Sequence, residues 1–287
     1  MKASYFIKNN GYKHIILKND RVIIAAVPEL GGRITEYSVE GCNVLYVNSP
    51  HKLINTGWMN YGGYKAWPAP QNMWGWPPPY ELDSGSFSYE VYETAQGVEL
   101  HMLSPVSDSL GIQFERKIFM PDTGSAVILE EGTINHGSKE KYIGIWGIGQ
   151  VATPGTVLIR QDEDSGSYSL KVFKEFDMPR SSSLEILDYD PLNVRINCGC
   201  GNGRFKLGIL SKNTLICYNC KAYDRSMILT ICFRFEGRGI DYPHGCNIEV
   251  YNDELNEYAE LEALSPMYKL QPGEKKSISM KWDLRIE

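Results

Sequence analysis

Two carboxylates one residue apart, Glu260 and Glu262 in the run EYAELEALSP, are the groups of this chain best placed for proton transfer. In an extended segment Tyr258, Glu260 and Glu262 fall on one face, with Ala259, Leu261 and Ala263 on the other. Carboxylates about 7 Å apart on one strand face can hold different pKa values, which lets a neighbour tune a general base. Exposure to water on a one-sided sheet is the plainer reading of such a pair. The small apolar opposite face and the nearby Pro266 make a recessed polar face an equal alternative.

The second concentration of chemistry is the stretch 61–80, YGGYKAWPAPQNMWGWPPPY, with Trp67, Trp74, Trp76, Lys65 and Gln71 among five prolines. Prolines at this density argue against a regular helix and an interior strand, so the stretch reads as a loop inside a long connection, 48–85. Indole rings on a loop suit a sugar, whose C–H face stacks on the aromatic face while its hydroxyls take directional hydrogen bonds from Lys65 and Gln71. Alternatively, the tryptophans plug one end of the core and the prolines hold the loop down.

Other groups weigh less. Gly31-Gly32-Arg33 reads as a tight turn with positive φ that starts a strand at Arg33, a side chain that could enter a cleft or join an ion pair. Cys198/Cys200 and Cys217/Cys220 have weak zinc-like spacing, but the second pair sits in a strand-like run where an offset of three sends side chains to opposite faces. The histidines His14, His51, His101, His136 and His244 are scattered, with no i, i+4 pair or nucleophile spacing; His136 falls in a turn and His244 in the loop DYPHG. No phosphate-cradling loop appears, and no metal or cofactor is expected.

What must position these groups is a set of strands. Alternating runs rich in β-branched and aromatic residues fall at 12–17, 21–27, 33–39, 86–93, 98–103, 112–119, 126–131 and 142–148. They continue at 156–160, 167–172, 184–187, 193–197, 204–210, 214–218, 227–235, 246–251, 258–264 and 276–284. Turn signals such as Asn19-Asp20, Glu40-Gly41, Asp122-Thr123-Gly124, His136-Gly137-Ser138 and Gln271-Pro272-Gly273 separate them, as in an antiparallel sandwich. So many strands exceed what one sheet holds without splitting, and two sheets packed face to face are expected, with no long helix and no fixed repeat. At 287 residues and 43% hydrophobic content the chain reads as one domain, 1–287. A net charge of −6 without a basic cluster argues against nucleic acid or an anionic membrane as partner. Neither a signal-like apolar stretch nor a membrane-spanning run is visible, so a cytoplasmic location is expected.

The order GGRITEYSVEGCNVLYVN, GGYKAWPAPQ with WGWPPP, INHGSKEKYIGIWGIGQV and YAELEALSPMYKLQPGE with SISMKWDL resembles the galactose mutarotase-like superfamily. Within it the chain is most similar to the branch of sugar-binding-like proteins called DUF4380. The likeness runs from about residue 22 to 284. It implies an all-β supersandwich of two large, mostly antiparallel sheets with a carbohydrate cleft on a concave face. It also implies, for enzymatic members of the aldose 1-epimerase type, a glutamate that takes the anomeric proton and a histidine that protonates the ring oxygen. The glutamate corresponds to Glu260, slightly favoured, or to Glu262. Where hexose-phosphate members carry the histidine, this sequence has Trp146, with Gln150 further along the same strand. The resemblance therefore implies a small-molecule carbohydrate as partner, stacked on Trp67, Trp74, Trp76 and Trp146. Arg33, Lys65, Gln71 and Gln150 would supply polar contacts, and a free or acidic sugar would fit. A sugar-binding protein that has lost the acid, or a structural module with its tryptophans against a partner, are the alternatives.

Overall fold

The computed structural model describes residues 3–9, 11–48, 57–160, 170–173, 193–199, 201, 203–237, 241–255 and 257–287. The strands are β1 (Ala3–Asn9), β2 (Tyr12–Lys18), β3 (Val22–Val27), β4 (Arg33–Val39), β5 (Cys42–Asn43), β6 (Tyr64–Ala69) and β7 (Ser88–Glu93), of which β1, β5 and β6 are not among the expected runs. Then come β8 (Gly97–Leu103), β9 (Ile112–Pro121), β10 (Val127–Asn135), β11 (Lys141–Ala152), β12 (Gly155–Arg160), β13 (Leu170–Val172) and β14 (Asn193–Cys198). The last are β15 (Phe205–Ile209), β16 (Leu215–Ala222), β17 (Arg225–Phe233), β18 (Ile248–Asn252), β19 (Tyr258–Leu264), β20 (Tyr268–Leu270) and β21 (Lys275–Ile286), of which β20 is likewise not among the expected runs. The expected strand at 184–187 lies outside the described residues, as does the first part of the one at 167–172. One single-turn helix, α1 (Tyr80–Asp83), is the only α-helix among the described residues, and no helix there is long and apolar enough to cross a membrane.

The strands form two antiparallel sheets, the supersandwich that the sequence pattern led us to expect. The larger runs β1-β2-β3-β4-β6-β11-β19-β18-β15-β13, with β5 on β4 and β20 on β11; the smaller runs β14-β12-β16-β17-β21-β10-β9-β8-β7. Period-two alternation gives each sheet one apolar face. Leu17, Ile24, Ile34 and Leu261 of the larger sheet and Ile118, Leu129, Leu229 and Leu284 of the smaller belong to one buried core. Asn19-Asp20 and Asp122–Gly124 close hairpins within a sheet. His136–Ser138, read from the sequence as a hairpin turn, instead carries the chain from β10 in the smaller sheet to β11 in the larger.

The stretch 61–80 is not a loop throughout, as its prolines suggested. Residues 64–69 are β6, an interior strand between β4 and β11, buried along its whole length. Pro68 is accommodated because β4 meets β6 only at Ile34↔Tyr64, which leaves that edge without a strand partner further along. Pairing with β11 covers the other edge from Tyr64↔Gly149 to Ala69↔Gly144.

Gly31 and Gly32 take φ of +65° and +59°, as the paired glycines predicted, and β4 starts at Arg33. The turn is also a junction between the sheets. Arg116 of β9, fully buried and paired with Glu131 of β10, donates to the carbonyl oxygens of Gly31 and Gly32. A Cβ on Gly31 would stand 2.0 Å from the carbonyl oxygen of Asp83 in α1, so only glycine lets the two segments meet. Gly31→Ala is therefore expected to lower stability by at least the ~1–3 kcal/mol of a left-handed non-glycine residue, since the clash adds to it. Urea denaturation checks this, and an unchanged midpoint would show that α1 is not held against the turn.

Candidate functional site

The face of the larger sheet that turns away from the core is built by alternation on five neighbouring strands. On β19 Ala259, Leu261 and Ala263 enter the core, which puts Glu260 and Glu262 together on the other face, as their spacing required. Register then sets their neighbours. Glu260 lies opposite Gln150 of β11 and Tyr251 of β18, while Glu262 lies opposite Ile148 and Glu249. Trp146 is paired with Trp67 of β6.

Charges on this face are largely buried and paired with one another. Lys206 of β15 places Nζ 2.8 Å from both Glu249 Oε2 and Glu262 Oε2, and the ammonium rests 4.3 Å from the centre of the Trp146 ring. Trp146 Nε1 donates to Glu262 Oε2 at 2.5 Å. Lys65 Nζ and Gln150 Nε2 donate to Glu260 Oε1 at 3.1 and 2.8 Å, with Lys65 over the Trp67 ring. His244 faces Glu249 Oε1 through Nδ1 at 2.9 Å, and Trp146 edge to face with centroids 5.2 Å apart.

The two glutamates of β19 have opposite electrostatic fates. Burial, reinforced by Glu249 and Glu260 and opposed by Lys206, pushes the Glu262 carboxyl well above the usual range. Its Oε1, buried and without a hydrogen-bond partner, is where the proton of a neutral acid would sit. Burial also works to raise Glu260, but Lys65, the Gln150 hydrogen bond and Lys206 outweigh it and hold the carboxyl below its ordinary value. Glu249 is lowered to about 2 because Lys206 and His244 overcome its desolvation.

Above this floor is a cleft of about 500 Å³ lined by Gln71, Asn72, Trp146, Phe173, Lys206 and His244, with Pro70 and Gly75 at its rim. Gln71, in the 3₁₀ turn Gln71–Met73 that follows β6, lies in this cleft as the sequence suggested. The tryptophans divide. Trp67 is buried, and its ring makes edge-to-face contacts with Trp58, Trp74, Trp76 and Trp146 at centroid distances of 5.6 to 6.0 Å. Trp74 is half-buried and donates to the Pro68 carbonyl oxygen, and Trp76 is 42% exposed.

Arg33, a candidate ligand contact from sequence, is instead fully buried. Its guanidinium is spent on Asp83, 3.2 Å from Oδ1, and on the Gly62 carbonyl oxygen. Asp83 in turn accepts the indole N–H of Trp67 on Oδ1 and of Trp58 on Oδ2, each at 2.8 Å. Arg33 thus reaches the aromatic wall only through Asp83. Lys65 is likewise closed off, 1% exposed and committed to Glu260.

Lys206, Glu249, His244, Asp83 and Trp58 escaped the reading of the sequence. Strand alternation in FKLGI and IEVYN puts Lys206 and Glu249 on polar faces, but nothing local says that β15 and β18 follow β19 across the sheet. His244 stands in a turn at φ +57° and carries no local signal at all.

Neither a family model nor a curated protein matches the chain. Solved structures do. A TPR-domain containing protein from Parabacteroides distasonis is 13% identical over 95% of this chain, with a TM-score of 0.64; the chain spans 47% of that protein's length. A candidate mutarotase from Salmonella typhimurium is 11% identical over 99% of this chain and 94% of its own, with a TM-score of 0.64. A galactose mutarotase-like protein from Clostridium acetobutylicum is 10% identical over 100% and 98%, with a TM-score of 0.60. The chain has the galactose mutarotase-like fold.

Charge on the two glutamates gives opposite responses to neutralisation. Glu262 holds its proton more tightly folded than unfolded, so it subtracts stability as pH rises above the unfolded value of ~4.3. Glu260 does the reverse: its contribution is present above the unfolded value and is lost as pH falls through the folded one. Glu262→Gln is expected to be at least as stable as wild type at pH 7, with a flatter pH dependence. Glu260→Gln strands the Lys65 ammonium and should lose stability toward the low end of ~3–5 kcal/mol. Urea unfolding of both variants between pH 4 and 8 decides; equal losses at pH 7 would mean that Glu262 is ionised.

Proposed function

We propose that the protein binds a carbohydrate in the cleft over Trp146, Lys206 and His244. The observation that carries this reading is the make-up of that cleft. Gln71 and Asn72 have side-chain amides without a protein partner among the described residues, and an amide both donates and accepts, which matches hydroxyl groups. The side chains of Trp146, Phe173 and His244 line the same cleft and give it apolar edges beside the polar groups. The fold, shared with mutarotase-like proteins, supports the same reading by analogy.

The charge balance favours an uncharged sugar. The cations once considered for an acidic group are already paired, Arg33 with Asp83 and Lys65 with Glu260, and Lys206 serves two carboxylates. An added anion would meet Glu249, Glu260 and Glu262, and the one further ammonium beside the cleft among the described residues is the exposed Lys171, which donates to the His244 carbonyl oxygen.

One observation favours catalysis over binding alone. His244 lines the cleft, its Nδ1 is held by Glu249, and Nε2 has no hydrogen-bond partner among the described residues. A carboxylate that fixes one ring nitrogen leaves the other oriented for proton transfer. His244 would then take the acid role that Trp146 cannot fill. Neither glutamate of β19 is among the residues lining the cleft. Of the two, Glu260, held below its ordinary value and with a side chain 14% exposed, suits the base role better than the fully buried Glu262, whose carboxyl is pushed up. The net reaction would be anomer interconversion: the anomeric hydroxyl gives up its proton to become the aldehyde oxygen as the bond from C1 to the ring oxygen breaks and that oxygen gains a proton. After rotation about C1–C2 the ring oxygen re-adds to the other carbonyl face with both protons returned.

Tryptophan fluorescence and ligand-observed NMR with glucose, galactose and their relatives test binding, and NMR exchange between anomers tests catalysis. Binding of at least one sugar is expected, with anomer exchange accelerated and the acceleration falling about 10²-fold or more in His244→Ala. Absence of any response across the panel would defeat the binding reading. Binding without acceleration would leave a non-catalytic sugar-binding protein.

A further inference from the structure

Most of the indole surface near the cleft is already occupied. Lys206 sits over Trp146, and Lys65 sits over Trp67 and Trp58, whose rings are 4%, 6% and 9% exposed. A sugar ring cannot stack on a face that an ammonium already covers. Trp76 differs. It is 42% exposed, yet it is not a loose side chain, since its ring makes edge-to-face contacts with Trp58 at 5.1 Å and with Trp67 at 6.0 Å.

Its place relative to the cleft is fixed by its neighbour. Gly75 lines the cleft and turns the chain with φ of +72°. Trp76, the next residue, is not itself among the lining residues and stands beside the cleft along the chain. Met73 and Tyr80 of the same stretch are exposed as well. Water-exposed indole carries a hydrophobic cost that a ligand face would relieve. The cleft itself, at about 500 Å³, is larger than one pyranose ring fills.

We infer that Trp76 is the platform of an outer subsite, and that the ligand is an oligosaccharide or the end of a glycan chain rather than a monosaccharide. The inference rests on the carbohydrate reading of the cleft. The terminal residue enters between Gln71 and His244, and the next sugar along the chain stacks on Trp76.

Titration calorimetry with glucose and galactose beside cellotriose, maltotriose and lactose tests it. For at least one linkage type the longer sugar is expected to bind about tenfold more tightly than its monosaccharide unit, the scale of one aromatic stacking contact. In Trp76→Ala that ratio should collapse toward one, and Trp76→Tyr should restore much of it, which a purely structural role would not do. Monosaccharides that bind as tightly as every longer sugar would overturn the inference while leaving the carbohydrate reading intact. So would a ratio that survives in Trp76→Ala. Wild-type protein that self-associates through this face, and becomes monomeric in Trp76→Ala, would assign Trp76 to a protein contact instead. If no saccharide binds at all, both readings fail together.

Discussion

The structure depends on keeping several charges out of water on one face of a sheet. Each ion taken from water into a protein interior costs several kcal/mol unless it is paired and hydrogen-bonded. Lys206 meets this cost by lying between Glu249 and Glu262, and Lys65 by meeting Glu260. Three carboxylates share two ammonium groups and a histidine. Burial beside Glu249 and Glu260 pushes the Glu262 carboxyl well above its ordinary range. The order β6-β11-β19-β18-β15 is what makes the arrangement possible: β6 contributes Lys65, β19 both Glu260 and Glu262, β18 Glu249 and β15 Lys206, with Gln150 and Trp146 from β11.

A second buried charge, Asp83, organises the aromatic side of the cleft. One carboxylate accepts two indole N–H groups and a guanidinium, which fixes Trp58 and Trp67 without using surface contacts. Trp74, Trp76 and Trp146 lean on Trp67 edge to face. The Gly31-Gly32 turn, tied to Arg116 of the smaller sheet, carries this order into the core.

The polar groups of the cleft are distributed differently from what the resemblance implied. The strand position that would hold an acid carries an indole, Trp146, which donates to Glu262 and forms the cleft floor. An imidazole arrives beside it from a turn, His244, held by a carboxylate two strands away from Trp146. An imidazole thus reaches the cleft from another part of the chain, and function has to be argued from the site rather than from the fold.

The sequence by itself determined what depends on neighbours along the chain. Period-two alternation made the protein all-β and put Glu260 and Glu262 on one face, and the need for positive φ made Gly31-Gly32 a turn. Tertiary structure decided everything that depends on neighbours across the sheet. It turned residues 64–69 into an interior strand despite Pro68, because one edge of β6 lacks a strand partner there. It buried Arg33 and Lys65, and it left Trp76 as the exposed indole. It also brought Lys206, Glu249 and His244 together, although they are up to 43 positions apart at the sequence level (249 − 206). Alternation is a local property of the backbone and is legible residue by residue. Strand order is set by long-range packing and closure of two sheets, and no short window of sequence carries it.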